Sequence, residues 1–245
     1  MIGSGIAGLA AAYFLSRRHR VHLFEREPRL GGHTHTIDVE TEDGPLRLDT
    51  GFLVHNARTY PNLIRLFAEL GVATRDSDMS FSVSCRRTGL EYSSRGLRGF
   101  FAQPRALVSP SHLRLLAEIL RFNREAPALL DGRAAPDVTL DEFLARRRFD
   151  GVFADRFLLP MASAIWSAPL RAIGAFPAQT IVRFLDNHGL LAVTAQPVWK
   201  VLVGGSDAYV PKLVAPLADR VHRGVGVRAV TRHPDGATLR LADGG

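Results

Sequence analysis

The chain has 245 residues, 46% of them hydrophobic, and a formal net charge of +7 at pH 7, as expected of a globular protein of one or two domains. It has no apolar run as long as a membrane-spanning helix, and its single cysteine, Cys85, excludes an internal disulfide, so a cytoplasmic location is expected. The charge comes mainly from arginines scattered along the chain, which argues against nucleic-acid binding and leaves peripheral contact with an anionic lipid surface open.

The first predicted element is a glycine-rich turn from a strand into a helix over residues 9–16. The G-x-G-x-x-G pattern of this turn consists of Gly3, Ser4, Gly5, Ile6, Ala7 and Gly8. Gly3 allows the tight turn, Gly5 lets the backbone approach a pyrophosphate, and Gly8 lets the helix pack closely on the strand. The N-terminus of such a helix offers free N–H groups and the positive end of the helix dipole to phosphates.

An acidic residue follows at the spacing that this motif requires. A short apolar strand over residues 21–24 ends on Glu25, which lies 22 residues after Gly3. A carboxylate there can accept hydrogen bonds from an adenosine ribose, which favours FAD or NAD over NADP. A glycine-rich turn without a ligand is the alternative.

Residues 33–54 predict a β-hairpin that turns at Asp43-Gly44 and returns to residues 49–52. His33 and His35 alternate and would share one face of the first strand. No third ligand is evident near them, so no metal site is expected.

The middle of the chain predicts a mixed block of helices and strands. Helical spacing runs over residues 60–70, and further helices are predicted at residues 112–123 and from Thr139 onwards. Strands are predicted at residues 79–85 and 90–92. This block interrupts the dinucleotide-binding pattern.

The last segment predicts a return to that pattern. Gly204-Gly205-Ser206 precedes a predicted helix over residues 207–217, a β-rich stretch over residues 221–230, and a hairpin at residues 234–236. Two residues precede Gly3, and a turn signal ends the chain at residues 243–245. We therefore expect the sequence to be a fragment of a longer protein.

Two groups of residues resemble a known family. Arg29, Gly31 and Gly32, after Glu25, are similar to the R-x-G-G-R extension of the flavin-containing amine oxidase superfamily, with His33 at the position of the second arginine. Longer segments resemble a bacterial subgroup of NAD/FAD-binding, amine-oxidase-like proteins: residues 79–83, 160–167, 184–191 and 197–210. Members of that subgroup are often linked with the modification of lipid acyl chains.

The resemblance implies an α/β fold and FAD as the cofactor. It implies a split, GR2-type Rossmann-like FAD-binding domain at residues 1–56 and 199–245, the second part incomplete, with an inserted α+β substrate domain at residues 57–198. Besides the residues of the glycine-rich turn, it assigns cofactor contacts to Glu25, Arg26, Arg29, Gly31, Gly32, His33, Gly51, Phe52, Leu53, Val54 and Val227.

The activity implied is that of an FAD-dependent oxidoreductase, in which an organic substrate passes a hydride to flavin N5. A lipid acyl chain is the preferred substrate, and an amine is the alternative. A nicotinamide-dependent dehydrogenase is disfavoured by Gly31-Gly32, while a non-enzymatic lipid- or partner-binding protein of the same fold stays open. No catalytic residue is assigned, because the flavin carries the chemistry; His188 is either part of a helix C-cap or a group above the substrate.

Overall fold

The computed structural model describes residues 1–131, 137–192 and 196–242. The chain forms two compact units, the first built from Met1–Asp78 and Val198–Gly245 and the second from Met79–Pro197. The first unit thus includes residues 57–78, which the sequence analysis grouped with the substrate domain. The turn expected at residues 243–245 lies outside the described residues.

Helices and strands occur in both units. The α-helices are α1 (Ile6–Ser16), α2 (Pro61–Glu69), α3 (Gly96–Phe100), α4 (Pro110–Glu125), α5 (Leu140–Arg146), α6 (Gly151–Phe153), α7 (Leu159–Trp166), α8 (Leu170–Gly174), α9 (Ala178–Asn187) and α10 (Val210–Val214). The strands are β1 (Leu23–Glu25), β2 (Thr36–Thr41), β3 (Gly44–Asp49), β4 (Thr74–Ser77), β5 (Ser82–Cys85), β6 (Leu90–Ser93), β7 (Trp199–Leu202), β8 (Val221–Arg223), β9 (Val227–His233) and β10 (Gly236–Leu241).

The first unit contains a parallel arrangement of extended segments on both sides of β1. β1 pairs in parallel with β8, Leu23 opposite Val221, and Ile2 forms a parallel bridge with Phe24 on the other side of β1. Parallel neighbours need a crossover connection. Helix α1 supplies it between Ile2 and β1, and its fully buried Leu9 and Ala12 join the apolar core of this unit.

Three antiparallel pairs complete the first unit. The predicted hairpins are confirmed as β2–β3, with Thr36 opposite Asp49, and β9–β10. The third pair, β4 with β7, joins Thr74 to Leu202, and neither of its strands was predicted from the sequence.

The second unit is mainly helical and has its own apolar core. Buried side chains of α4, α5, α7 and α9 form one cluster with the β5–β6 hairpin. The cap predicted at Thr139 is confirmed as a capping box, because its hydroxyl accepts from the Glu142 amide at 3.2 Å and Glu142 reaches back to the Thr139 amide. Likewise, α9 ends at Asn187 and Gly189 takes a φ of +70°, which makes residues 187–189 a helix C-terminus.

Two predicted helices differ in detail. Helix α1 begins at Ile6, not residue 9, because the second half of the glycine-rich turn forms its first turn. The helix predicted over residues 207–217 is divided into a 3₁₀ segment, α10 and another 3₁₀ segment. Pro216 contributes to the second break, since a proline has no N–H to donate to the carbonyl four residues earlier, that of Lys212.

Candidate cofactor-binding site

The glycine-rich turn presents the uncapped N-terminus of α1. The amide of Gly3, which has a φ of +85°, donates to the Phe24 carbonyl at 2.8 Å and so ties the turn to β1. Gly5 occupies the N-cap position but has no side chain to accept from the first amides of the helix, and the first turn of α1 holds no acidic residue. The positive end of the helix is therefore available to an anion.

The glycines let three backbone segments pack together without side chains. A Cβ on Gly8 would lie 2.0 Å from the carbonyl oxygen of Gly3, so α1 packs directly on the turn before it. A Cβ on Gly32 would lie 2.8 Å from Cα of Gly5, and one on Gly51 would lie 1.9 Å from the His33 carbonyl oxygen. The motifs at residues 3–8, 31–33 and 51–52, separate in sequence, thus lie side by side.

Glu25 connects the end of β1 to the glycine-rich turn. Its Oε2 accepts from the Ser4 amide at 2.7 Å and the Ser4 hydroxyl at 2.5 Å, while Oε1 accepts from the Glu27 amide at 2.9 Å. Partial burial raises the pKa of Glu25, but the hydrogen bonds from Glu27 and Ser4 outweigh it, so the pKa is lowered overall. Because a carboxylate has about four acceptor positions, the ionised group can accept a further hydrogen bond from a ligand hydroxyl.

Arg29 stabilises the loop at Gly31-Gly32. Its guanidinium donates to the carbonyls of Thr34 at 2.7 Å, Gly32 at 2.8 Å and Leu30 at 3.3 Å. The structure thus places this predicted cofactor contact within the loop itself. A cleft of about 450 Å³ lies beside it, lined in part by Arg29 and by Arg223 at the end of β8.

The other predicted contacts differ in exposure. Arg26 is exposed and ion-paired with Glu27 at 3.1 Å, and the His33 side chain is exposed while its carbonyl accepts from the Phe52 amide at 3.3 Å. Phe52 is half-buried, and Leu53 is 51% exposed. Val54 is half-buried.

Val227 begins β9 close to the end of β1. The amide of Val225, two residues earlier, donates to the Glu25 carbonyl at 2.8 Å, and the Gly224 amide donates to the Glu27 carbonyl at 3.3 Å. The segment that leads into Val227 therefore lies against the residues that follow Glu25.

Two buried polar residues were missed by the sequence analysis. His55 is fully buried, and neither of its ring nitrogens has a partner among residues 1–131, 137–192 and 196–242. Its ring lies between Phe52 and Phe67, 6.3 Å and 5.2 Å away, and burial, together with Lys200, lowers its pKa. The adjacent Asn56 is also fully buried and accepts from the Thr59 amide at 2.9 Å.

The turn at residues 204–207 is fastened to the β2–β3 hairpin. Oδ1 of Asp49 accepts from the Thr36 hydroxyl at 2.6 Å and from the Ser206 amide at 2.8 Å. The Thr36 hydroxyl in turn accepts from the Asp207 amide at 3.2 Å. The Gly204-Gly205-Ser206 motif therefore lies next to the hairpin that leads into the predicted cofactor contacts Gly51 and Phe52.

These arrangements fit a dinucleotide. The uncapped helix and the side-chain-free turn suit a pyrophosphate, and the ionised Glu25 at the end of the next strand suits a ribose.

Within the described part of the chain, no group of three or more His, Cys, Asp or Glu side chains is arranged to hold a metal ion. The helices described also include none that is long and apolar enough to cross a membrane.

Comparison with known proteins identifies the family. The family model described as "Flavin containing amine oxidoreductase" matches residues 6–245, almost the whole chain. The chain belongs to this family. Membership confirms the predicted resemblance, and it agrees with FAD as the cofactor.

Two individual relatives have 35% identity or less to this chain. A carotenoid phi-ring synthase of Streptomyces griseus is 35% identical over 64% of this chain and 30% of its own length. The flavin-containing monoamine oxidase AofH of Mycobacterium tuberculosis is 28% identical over all of this chain and 53% of its own. The chain thus spans about half or less of these relatives.

Solved structures agree at the level of the fold. A putrescine oxidase, solved bound to putrescine, has a TM-score of 0.72 and 20% identity, and the match covers 99% of this chain and 54% of that one. The neighbour supports the mixed α/β architecture.

Proposed function

We propose that this chain is the FAD-binding part, with much of the substrate domain, of an FAD-dependent oxidoreductase. The observation that carries the proposal is the convergence of the uncapped α1 N-terminus, Glu25 and the Gly31-Gly32 loop in one unit. Family membership over residues 6–245 supports it independently.

The predicted contacts are assigned roles by their chemistry. The amides at the start of α1 would bind the pyrophosphate, Glu25 would bind the adenosine ribose, and the backbone of Val227 would bind the adenine. Gly51 and Phe52 would approach the flavin ring. When bound, the flavin supplies hydride acceptance, while these residues bind it and orient it.

We assign the first unit to cofactor binding and the second to the substrate, as a split, GR2-type domain with an insertion. The discontinuity of the first unit, residues 1–78 and 198–245, supports this assignment. Limited digestion of the intact protein with and without FAD tests it. The ligand should protect the first unit selectively, and equal protection of both units would contradict the assignment.

A lipid with an extended acyl or polyene chain is the proposed substrate class. The 35% identity to a carotenoid phi-ring synthase supports an apolar substrate. An amine is the second candidate, favoured by the similarity to AofH over the whole chain.

The absorption spectrum of the purified protein tests the proposal. A two-band flavin spectrum and chromatographic identification of released FAD are expected, followed by bleaching on anaerobic addition of the right substrate. Bleaching by amines but not by lipids would support the second candidate. A colourless protein to which FAD cannot be restored, but that binds lipid stoichiometrically, would overturn the enzymatic assignment in favour of a lipid carrier.

A further inference from the structure

A second polar cleft lies in the helical unit, at the N-terminus of α4. Its volume is about 280 Å³, and the polar side chains that line it are Thr88, Arg105, Ser109, Ser111, His112 and Arg156. None of the described residues that line it carries a carboxylate. The cleft belongs wholly to the second unit, so it is separate from the proposed cofactor site.

The two arginines give the lining of the cleft a positive charge. Arg156 makes no side-chain hydrogen bond or ion pair with any described residue, and the nearby Asp150 carboxylate is itself ion-paired with Arg114 at 3.4 Å. Arg105 donates to neutral acceptors, the Gly89 carbonyl and the side chain of Gln103. Guanidinium groups of this kind bind phosphates and carboxylates readily.

Helix α4 adds to this charge. It has 16 residues and begins with Ser109 as its cap and Pro110 in its first turn. The Ser109 hydroxyl lies 3.1 Å from that of Ser111 and accepts from the His112 amide at 3.4 Å. The positive end of the helix dipole thus adjoins the two arginines.

His112 leaves a buried nitrogen unsatisfied in the lining of the cleft. Its side chain is 1% exposed and stacks on Phe100 with ring centroids 4.2 Å apart. Nε2 lies 2.8 Å from the Phe100 carbonyl oxygen, which can only accept, so Nε2 carries the proton. Nδ1 has no partner among the described residues, which leaves a buried acceptor unsatisfied in the neutral ring.

We propose that this cleft binds a phosphate monoester. Its oxygens would accept from both arginines and from the hydroxyls, and the P–O–H hydrogen of the monoanion would be donated to Nδ1 of His112. A carboxylate has no such hydrogen when ionised, whereas a phosphate monoester is partly protonated near neutral pH. The same group occurs on soluble metabolites and on phosphatidic acid, and Leu107 and Val108, 58% and 80% exposed beside the cleft, make a lipid source testable.

The experiment measures binding of two probes to the intact protein. Glycerol 3-phosphate is titrated by calorimetry, and vesicles of phosphatidylcholine with or without phosphatidic acid are tested by co-sedimentation. The variant R156Q removes the arginine that has no side-chain partner among the described residues, and R98Q is the matched control because Arg98 is exposed on α3 and does not line the cleft. A second variant, S111A, removes a lining hydroxyl near the protein surface.

We expect R156Q to weaken binding at least tenfold, S111A to weaken it severalfold, and R98Q to leave it unchanged. Binding of both probes, or of either alone, supports the site, and the probe that binds identifies the source. Equal losses in R156Q and R98Q would show general charge attraction and overturn the proposal. So would equally tight binding of sulfate, or no binding of either probe at millimolar concentration. FAD binding is measured in parallel and tests the proposed function separately, because the cleft and the proposed cofactor site lie in different units.

Discussion

Replacement of Gly8 by alanine tests the packing of the glycine-rich turn. The added Cβ would lie 2.0 Å from the Gly3 carbonyl oxygen, well inside an ordinary contact of about 3.4–4 Å, so backbone must move by more than 1 Å. Alanine in a helix is favoured over glycine by about 1 kcal/mol, and overpacking costs about 1–3 kcal/mol. We expect a net loss of roughly 1 kcal/mol in the free energy of unfolding and a displaced turn.

Gly5→Ala is the matched variant. A Cβ there would meet no atom of the described residues within 4 Å, its two chain neighbours aside, so the protein without ligand should keep its stability to within about 1 kcal/mol. The same methyl would occupy the surface that a pyrophosphate approaches. We therefore expect FAD affinity to fall at least tenfold in Gly5→Ala with little change in unfolding.

Urea unfolding followed by circular dichroism measures the free energy of unfolding, and quenching of flavin fluorescence measures the affinity for FAD. The reasoning fails if Gly8→Ala is more stable than the wild type by its full helix-propensity gain. It also fails if Gly5→Ala binds FAD as tightly as the wild type.

Three further substitutions test the site. Glu25→Gln removes a carboxylate whose pKa is lowered in the folded protein. This carboxylate stabilises the fold above its ordinary pKa of about 4.3, and the stabilisation is lost as the pH falls through the lower pKa of the folded state. The stability of the wild type should therefore fall more steeply in acid than that of Glu25→Gln, and identical profiles of unfolding against pH would contradict this. His55→Phe removes a buried ring without described partners, so thermal unfolding should show unchanged or higher stability, by up to about 1–2 kcal/mol; a loss above about 2 kcal/mol would reveal a polar partner. Asp49→Ala leaves the Ser206 amide without its acceptor and should cost about 2–3 kcal/mol in urea, while Asp38→Ala, exposed on the same hairpin, should cost under about 1 kcal/mol; equal costs would contradict the role of Asp49.

The sequence predicted the parts of the site whose chemistry depends on residue type and spacing. Gly3, Gly5, Gly8 and Glu25 occur at intervals set by the geometry of a strand, a turn and a helix, so their placement at one end of β1 could be anticipated. The hairpin turns and the Thr139 cap are likewise local features.

Features that depend on distant partners were not predictable. Strand β4, Thr-Arg-Asp-Ser, has no alternating apolar pattern, and it forms because β7 pairs with it from more than 120 residues away. The role of Arg29 within its own loop depends on the carbonyl positions of residues 30–34. The burial of His55 has one weak signal, the apolar residues that precede it, but its packing against Phe67 requires the tertiary fold.

The parallel pairing of β1 with β8 has a consequence for the newly synthesised chain. Leu23 cannot pair with Val221 until residue 221 has been synthesised, and all of residues 79–197 are synthesised before that. The helical unit can therefore bury its core while one side of β1 still presents unpaired N–H and C=O groups, the kind of open edge on which chains aggregate. Pairing of β1 with β8 therefore follows synthesis of the helical unit, and a ribosome that stalls before residue 221 would hold a folded helical unit attached to a strand with one unpaired edge.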